Sequence, residues 1–218
     1  MKKSLAGALV AAATLVGATG AMATSFGGAY VGAAVDYGTT ELGTVKTIIL
    51  PPPPVDEVSS SVSGFGATAF AGYNHFVGHG MMVGLEADAT WSDWNGTFHN
   101  DDYSVRWNAS VRGRLGYLMK PDLLAYVTGG IGWMDGKISP NHVGEFSHTF
   151  TGFVVGAGIE YAIHPAARLR LEYLYSNYGS WTFEPNPALR EKIDPEMHQF
   201  RIGLVIPLHH ADERRPLK

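Results

Sequence analysis

The sequence of 218 residues holds no cysteine, which excludes a disulfide scaffold, a thiol nucleophile and a thiolate metal site. Beyond residue 23 no apolar run approaches the roughly 18 residues of a transmembrane helix, so helical spans are excluded too. Basic residues are sparse and scattered: 16 Lys and Arg stand against 20 Asp and Glu, with a formal net charge of −4. No basic run is left to track a phosphate backbone, so nucleic acid is not an expected partner. Metal-ligand spacing is also missing. His75, His79, His99, His142, His148, His164 and His198 form no pairs with acids at ligand spacing, and His209-His210 read as part of a solvated tail. Gly129-Gly130-Ile131-Gly132 and Gly156-Ala157-Gly158 fit neither phosphate-loop nor dinucleotide patterns. No metal and no cofactor are expected.

What is present begins at the N-terminus. Lys2 and Lys3, an apolar stretch from Leu5 to Val16, and Ala21-Met22-Ala23 read as a secretory signal of residues 1–23 for the Sec pathway, with cleavage near Ala23. No cysteine follows to take a lipid, so the mature chain must hold to a membrane by its own surface. Residues 24–208 are read as one domain and 209–218 as a polar C-terminal tail.

Within that domain the apolar residues recur with period two. From Met81 to Ser92, Met81, Val83, Leu85, Ala87, Ala89 and Trp91 share one face. Glu86, Asp88 and Thr90 share the other. Val105 to Met119, Ala167 to Asn177 and His198 to Leu208 repeat the pattern, and Ala29 to Tyr37, Phe65 to His75, Leu123 to Trp133 and Phe153 to Tyr161 follow it more weakly. Eight segments of about ten residues match the length of tilted strands that cross a bilayer. The expected fold class is therefore all-β, an eight-stranded antiparallel up-and-down transmembrane β-barrel.

Loop lengths support this over a soluble sandwich. Short links at Val77 to Gly80, Lys120 to Asp122 and His164 to Ala166 alternate with long ones at Thr39 to Val62, Asp93 to Tyr103, Ile138 to Ser147 and Gly179 to Met197. Tight periplasmic turns and long outer loops give that alternation in a membrane barrel. The run Pro51 to Pro54 reads as a stiff loop segment outside the wall. Trp91, Trp94, Trp107, Trp133 and Trp181 fall at or just beyond the outer strand ends and are expected to form an aromatic girdle, while Tyr73, Phe76, Tyr117, Tyr126 and Tyr161 lie near the periplasmic ends.

The polar face is expected inside. It places Asp36, Glu86, Asp88, Glu160 and Glu172 against Arg106, Arg112, Arg114, Arg168, Arg170 and Arg201, an interior polar network of five acids and six arginines. An eight-stranded barrel encloses a space that side chains can fill. Paired arginines and carboxylates there predict a closed lumen, with a small-solute pore as the second reading.

The segments SVRGRLGY (Ser110 to Tyr117), LLAYVTGGIGW (Leu123 to Trp133), GAGIEYAI (Gly156 to Ile163), RLRLEYLYSNYG (Arg168 to Gly179) and HQFRIGLVI (His198 to Ile206) carry a resemblance. The chain resembles the small outer-membrane immunogenic and opacity-type barrels of Gram-negative bacteria, labelled porin-family proteins, and is distantly similar to the OmpA transmembrane domain. The resemblance covers the barrel and not the loops. It implies a surface antigen of the cell envelope, set in outer-membrane lipid and lipopolysaccharide, with a role in envelope integrity or surface interaction, including contact with a host surface or haem. It also implies an insertion signal for the barrel-assembly machinery in the last strand, carried by Arg201, Gly203, Ile206 and Leu208. Family members usually end there on an aromatic residue. This chain has Leu208, preceded by Pro207 and followed by the tail.

Two further readings compete with this one. An outer-membrane lipid hydrolase would need a serine activated by a nearby histidine, and Ser176-Asn177 is the place for one. The deacylases it would resemble carry His two residues before that serine, where this chain has Leu174. No enzyme activity is expected. A soluble lipocalin-type barrel would instead turn the apolar face inward; the girdles and the loop asymmetry speak against it.

Overall fold

A computed structural model describes residues 26–48, 55–98, 101–139, 146–179, 181–186 and 189–208. The expected signal (1–23), the proline run (51–54) and the tail (209–218) lie outside them. The described residues form strands β1 (Gly28–Ile48), β2 (Val55–Gly78), β3 (Met81–Phe98), β4 (Asp101–Lys120), β5 (Leu123–Ser139), β6 (Phe146–His164), β7 (Ala167–Asn177), β8 (Trp181–Asn186) and β9 (Leu189–Pro207). Each of β1 to β7 pairs antiparallel with the next, β7 pairs with β9, and β9 closes on β1, making an eight-membered ring. β8 lies on the flank of β9, outside the ring.

Period-two alternation decides which side chain sees which medium. Along β7, Arg168, Arg170, Glu172, Leu174 and Ser176 are buried in the lumen, while Leu169, Leu171 and Tyr173 are exposed on the outer wall. A barrel in lipid is inside out in this way: its backbone polar groups are satisfied by the closed ladder, and the outer apolar band needs no cover.

The short links are two-residue turns. At His79-Gly80 both central residues have positive φ, 51° and 80°, as a type I′ turn requires, and glycine takes the second without strain. Pro121-Asp122 and Pro165-Ala166 close the other two, each beside a register shift at the preceding strand end.

The long links differ from the expectation. β1 runs for 21 residues and β2 for 24, where the apolar alternation predicts about ten. Much of what reads as loop is ladder: β1 and β2 stay paired to Thr47↔Val55, β1 and β9 to Ile48↔Leu189, and β8 adds to β9. Alternation marks only the stretch that faces lipid; backbone pairing continues past it, because a strand pair needs no apolar face to keep its hydrogen bonds.

This crown of ribbons is split. The β2–β3 ladder stops at Ser63↔Asn95 and the β6–β7 ladder at Phe153↔Asn177. Beyond those points one blade comprises β2, β1, β9 and β8, and the other β3, β4, β5 and β6.

Candidate functional site

The lumen is filled in three tiers. At the turn end Phe26, Met82, Leu124 and Tyr126 form an apolar floor, with Phe76, Leu118 and Ala162 packed against it. At the ribbon end Trp94, Val105, Met134 and Phe150 meet Val62, Tyr178 and Met197 in an apolar ceiling. Charged side chains occupy the space between.

Arg112 is the hub of that middle tier and is fully buried. Its Nη2 donates to Glu86 Oε1 at 2.8 Å and to Asp88 Oδ2 at 2.9 Å, and its Nη1 donates to Glu172 Oε1 at 3.1 Å. Arg170 spans Glu86 and Glu160 at 2.7 and 2.8 Å. Arg114 reaches Glu160 at 2.6 Å and stacks on the Tyr126 ring with its guanidinium carbon 3.9 Å from the centroid. Arg168 pairs with Glu160 at 3.2 Å, and Arg201 with Asp88 at 3.2 Å. Asp36, next to Arg201 in register, accepts from Thr68 Oγ1 at 2.8 Å.

Charges removed from water cost several kcal/mol each unless paired. Multidentate guanidinium–carboxylate bonding offsets that cost, and shared carboxylates make the tier one unit.

Arg106 stands apart. A register shift between Val105 and Trp107 inserts an extra residue in β4, so Val105 points inward while Arg106 and Trp107 both point outward. The Arg106 side chain is 55% exposed and pairs with Asp135 at 2.6 Å on the outer wall. Its assignment to the interior is therefore corrected, and the remaining five arginines match the five acids.

Trp94 needs correction as well. β3 continues to Phe98, so alternation carries the ring from the expected girdle into the lumen, where it is 0% exposed. Trp91 and Trp107 are exposed on the outer face and Trp133 is partly so; of Trp181 only the backbone is described. Tyr126 and Phe76 likewise belong to the floor, whereas Tyr73, Tyr117 and Tyr161 are exposed outside. In the closing strand Arg201 and Gly203 face inward, Ile206 and Leu208 outward.

Several contributing residues were missed in the sequence. The Tyr30 hydroxyl donates to Glu86 Oε2 at 2.7 Å and that of Tyr126 to Glu172 Oε1 at 2.9 Å. Their parity with Ala34 and Asp36, and with Leu124 and Thr128, was the available signal. On the outer wall Tyr37, Phe65, Phe153 and Phe200 extend the aromatic ring to strands that carry no tryptophan. Tyr37 and Phe65 meet edge to face at 5.2 Å.

Above the charges lies a layer of unmet hydrogen bonds. Asp36 Oδ2, Thr40 Oγ1, Trp94 Nε1, Asn108 Nδ2, Gln199 Nε2 and Arg201 Nε are buried there without a hydrogen-bond partner among the described residues, as are Arg114 Nε, Glu160 Oε2 and Arg168 Nε within the charged tier itself. Each would cost about 1–3 kcal/mol if left dry.

Ser176 is buried and faces this lumen, away from the lipid wall. Among the described residues no group of three or more His, Cys, Asp or Glu is arranged to hold a metal ion.

A family model described as "Outer membrane protein beta-barrel domain" matches residues 8–206. The chain is 39% identical over 121 residues to a "22 kDa outer membrane protein" of Rhizobium leguminosarum bv. viciae, a match spanning 56% of this chain and 56% of that relative's length. It is 32% identical over 170 residues to a "31 kDa outer-membrane immunogenic protein" of Brucella melitensis, covering 68% of this chain and 70% of the relative. Among solved structures, OprG from Pseudomonas aeruginosa matches with a TM-score of 0.51 at 12% identity, covering 83% of this chain and 97% of that one. Neisserial surface protein A matches with 0.50 at 13% identity, covering 80% and 99%. At such identities the likeness shows the fold alone.

Proposed function

We propose that this chain, which belongs to the outer membrane protein β-barrel domain family, is a closed barrel serving envelope integrity or surface interaction. It is an outer-membrane protein, with lipid-facing strands and no helix among the described residues long and apolar enough to cross a membrane. The closed-lumen reading rests on one observation: Arg112, fully buried, bridges carboxylates on β3 and on β7 and so ties the wall together across its interior. A hydrated pore of useful width would leave such a side chain wet.

The turn end is assigned to the periplasm and the ribbons to the outside. Outer-membrane lipid and lipopolysaccharide would then surround the aromatic ring, and a host surface or haem would be met by the blades. The barrel-assembly machinery would read the closing strand, Arg201 to Leu208. None of the relatives' names above specifies an activity, and the inward Ser176 does not support a lipid hydrolase.

Planar-bilayer recording tests the reading. The purified barrel is expected to show no large, stable conductance steps; such steps would establish the pore instead.

A further inference from the structure

We propose that the layer between the charged tier and the apolar ceiling is an aqueous chamber, occluded from the ribbon end by the Trp94 ring. The chamber would hold water and admit small polar solutes when the two blades part.

Contacts and register bring Asp36, Asn108, Gln199 and Arg201 into one layer, while Thr40, in register with Val62 and Met197, lies at the ceiling with Trp94. Arg201 Nη2 donates to Thr90 Oγ1 at 3.0 Å and to Gln199 Oε1 at 3.4 Å, and Thr90 pairs in register with Asn108. Thr68 links Thr90 to Asp36, at 2.8 Å to each. Gln199 pairs with Gly38, and a Cβ on Gly38 would collide with the Trp94 ring, so that ring lies directly over the layer. Of the unmet atoms in this layer, Asn108 Nδ2, Gln199 Nε2 and Arg201 Nε are donors and Asp36 Oδ2 is a carboxylate oxygen. Water satisfies such a mixed set, and buried water is the usual occupant of polar sites the protein does not fill itself.

The ceiling above is apolar and is assembled from both blades. Trp94 and Phe150 come from one, Val62 and Met197 from the other. Among the described residues no ladder joins the blades beyond Ser63↔Asn95 and Phe153↔Asn177. Side-chain packing around Trp94 is therefore what holds the mouth shut, and packing can open locally without breaking the ring below.

The inference rests on the closed-lumen reading only for its floor, so the test keeps the two apart. The chain has no cysteine, so a single one can be introduced and probed with a small charged methanethiosulfonate reagent on the purified barrel in detergent. Asn108→Cys reports on the chamber and loses no bond of the Nδ2 group. Thr128→Cys, level with Arg114, reports on the charged tier. Folding is checked for every variant by heat-dependent gel migration.

Asn108→Cys is expected to label slowly with Trp94 present and faster by roughly tenfold or more in Trp94→Ala, as when a local opening step is removed. Trp94→Phe, which keeps ring bulk, should stay slow. Slow labelling with both Trp94 and Ala would show a dry or sealed layer; fast labelling with Trp94 or with Phe would show that this ring is no lid. Each overturns the proposal. Labelling of Thr128→Cys would instead overturn the closed lumen while leaving the Trp94 comparison intact.

Discussion

Arg112 on β4 and Glu172 on β7 do not share a ladder, yet their side chains meet at 3.1 Å across the lumen. A bond between non-neighbouring strands braces the wall as the ladders alone cannot. Replacing Arg112 with Met removes three ion pairs at once and leaves Glu86, Asp88 and Glu172 with less positive charge around them. The expected loss is about 3–5 kcal/mol, the usual cost of stranding a buried charge. Urea unfolding in lipid vesicles checks it. The double variant Arg112→Met with Glu172→Gln should cost less than the sum of its parts, because the two residues are directly coupled.

Arg106→Ala gives the contrast. Its partner Asp135 sits under an exposed side chain at the girdle level of the outer wall, where headgroups and interfacial water screen the pair. The same unfolding measurement should register less than about 1 kcal/mol. A loss as large as that of Arg112→Met would put Arg106 back in the interior network.

The tryptophans divide in the same way. A variant retaining only Trp107 should be quenched strongly by brominated lipid, because that ring lies on the outer wall. One retaining only Trp94 should be barely quenched, and its emission should not follow the depth of the bromine. Equal quenching of both would place Trp94 in the girdle after all.

Gly38 leaves room for the Trp94 ring, and a Cβ there would overlap it. Gly38→Val is expected to destabilise the barrel by about 1–3 kcal/mol through overpacking. In a Trp94→Ala background the same change should cost markedly less, read as the temperature at which the folded gel band is lost.

Ring closure runs along β1 and β9 to Tyr30↔Pro207, with Leu208 N donating to the Ala29 carbonyl at 2.8 Å. Among the described residues every bond of that closure lies before residue 209. Deleting 209–218 should leave the heat-dependent band shift unchanged, whereas truncation before Phe200 removes the closing partners of β1 and β7 and should abolish it.

The fold class, the eight staves and the lipid-facing side of each are legible in the residues alone. Those follow from local rules: period-two alternation is set by backbone geometry, so Leu169, Leu171 and Tyr173 declare their side without reference to any other strand. The tight turns were legible for the same reason, since His79-Gly80 and the two Pro-containing links act within a few residues.

The rest emerges on folding, where one strand's register depends on another's. The extra residue at Arg106 is visible only against β5, and it turns an apparent sixth lumen charge onto the outer wall. The length of β3, set by its pairing with β4 as far as Phe98↔Asp101, moves Trp94 from girdle to ceiling. The ion pairs themselves join positions up to 113 residues apart in sequence, Arg201 to Asp88, through a narrow lumen whose width exists only once the ring has closed. Alternation names the face a charge occupies; closure alone selects the partner it meets there.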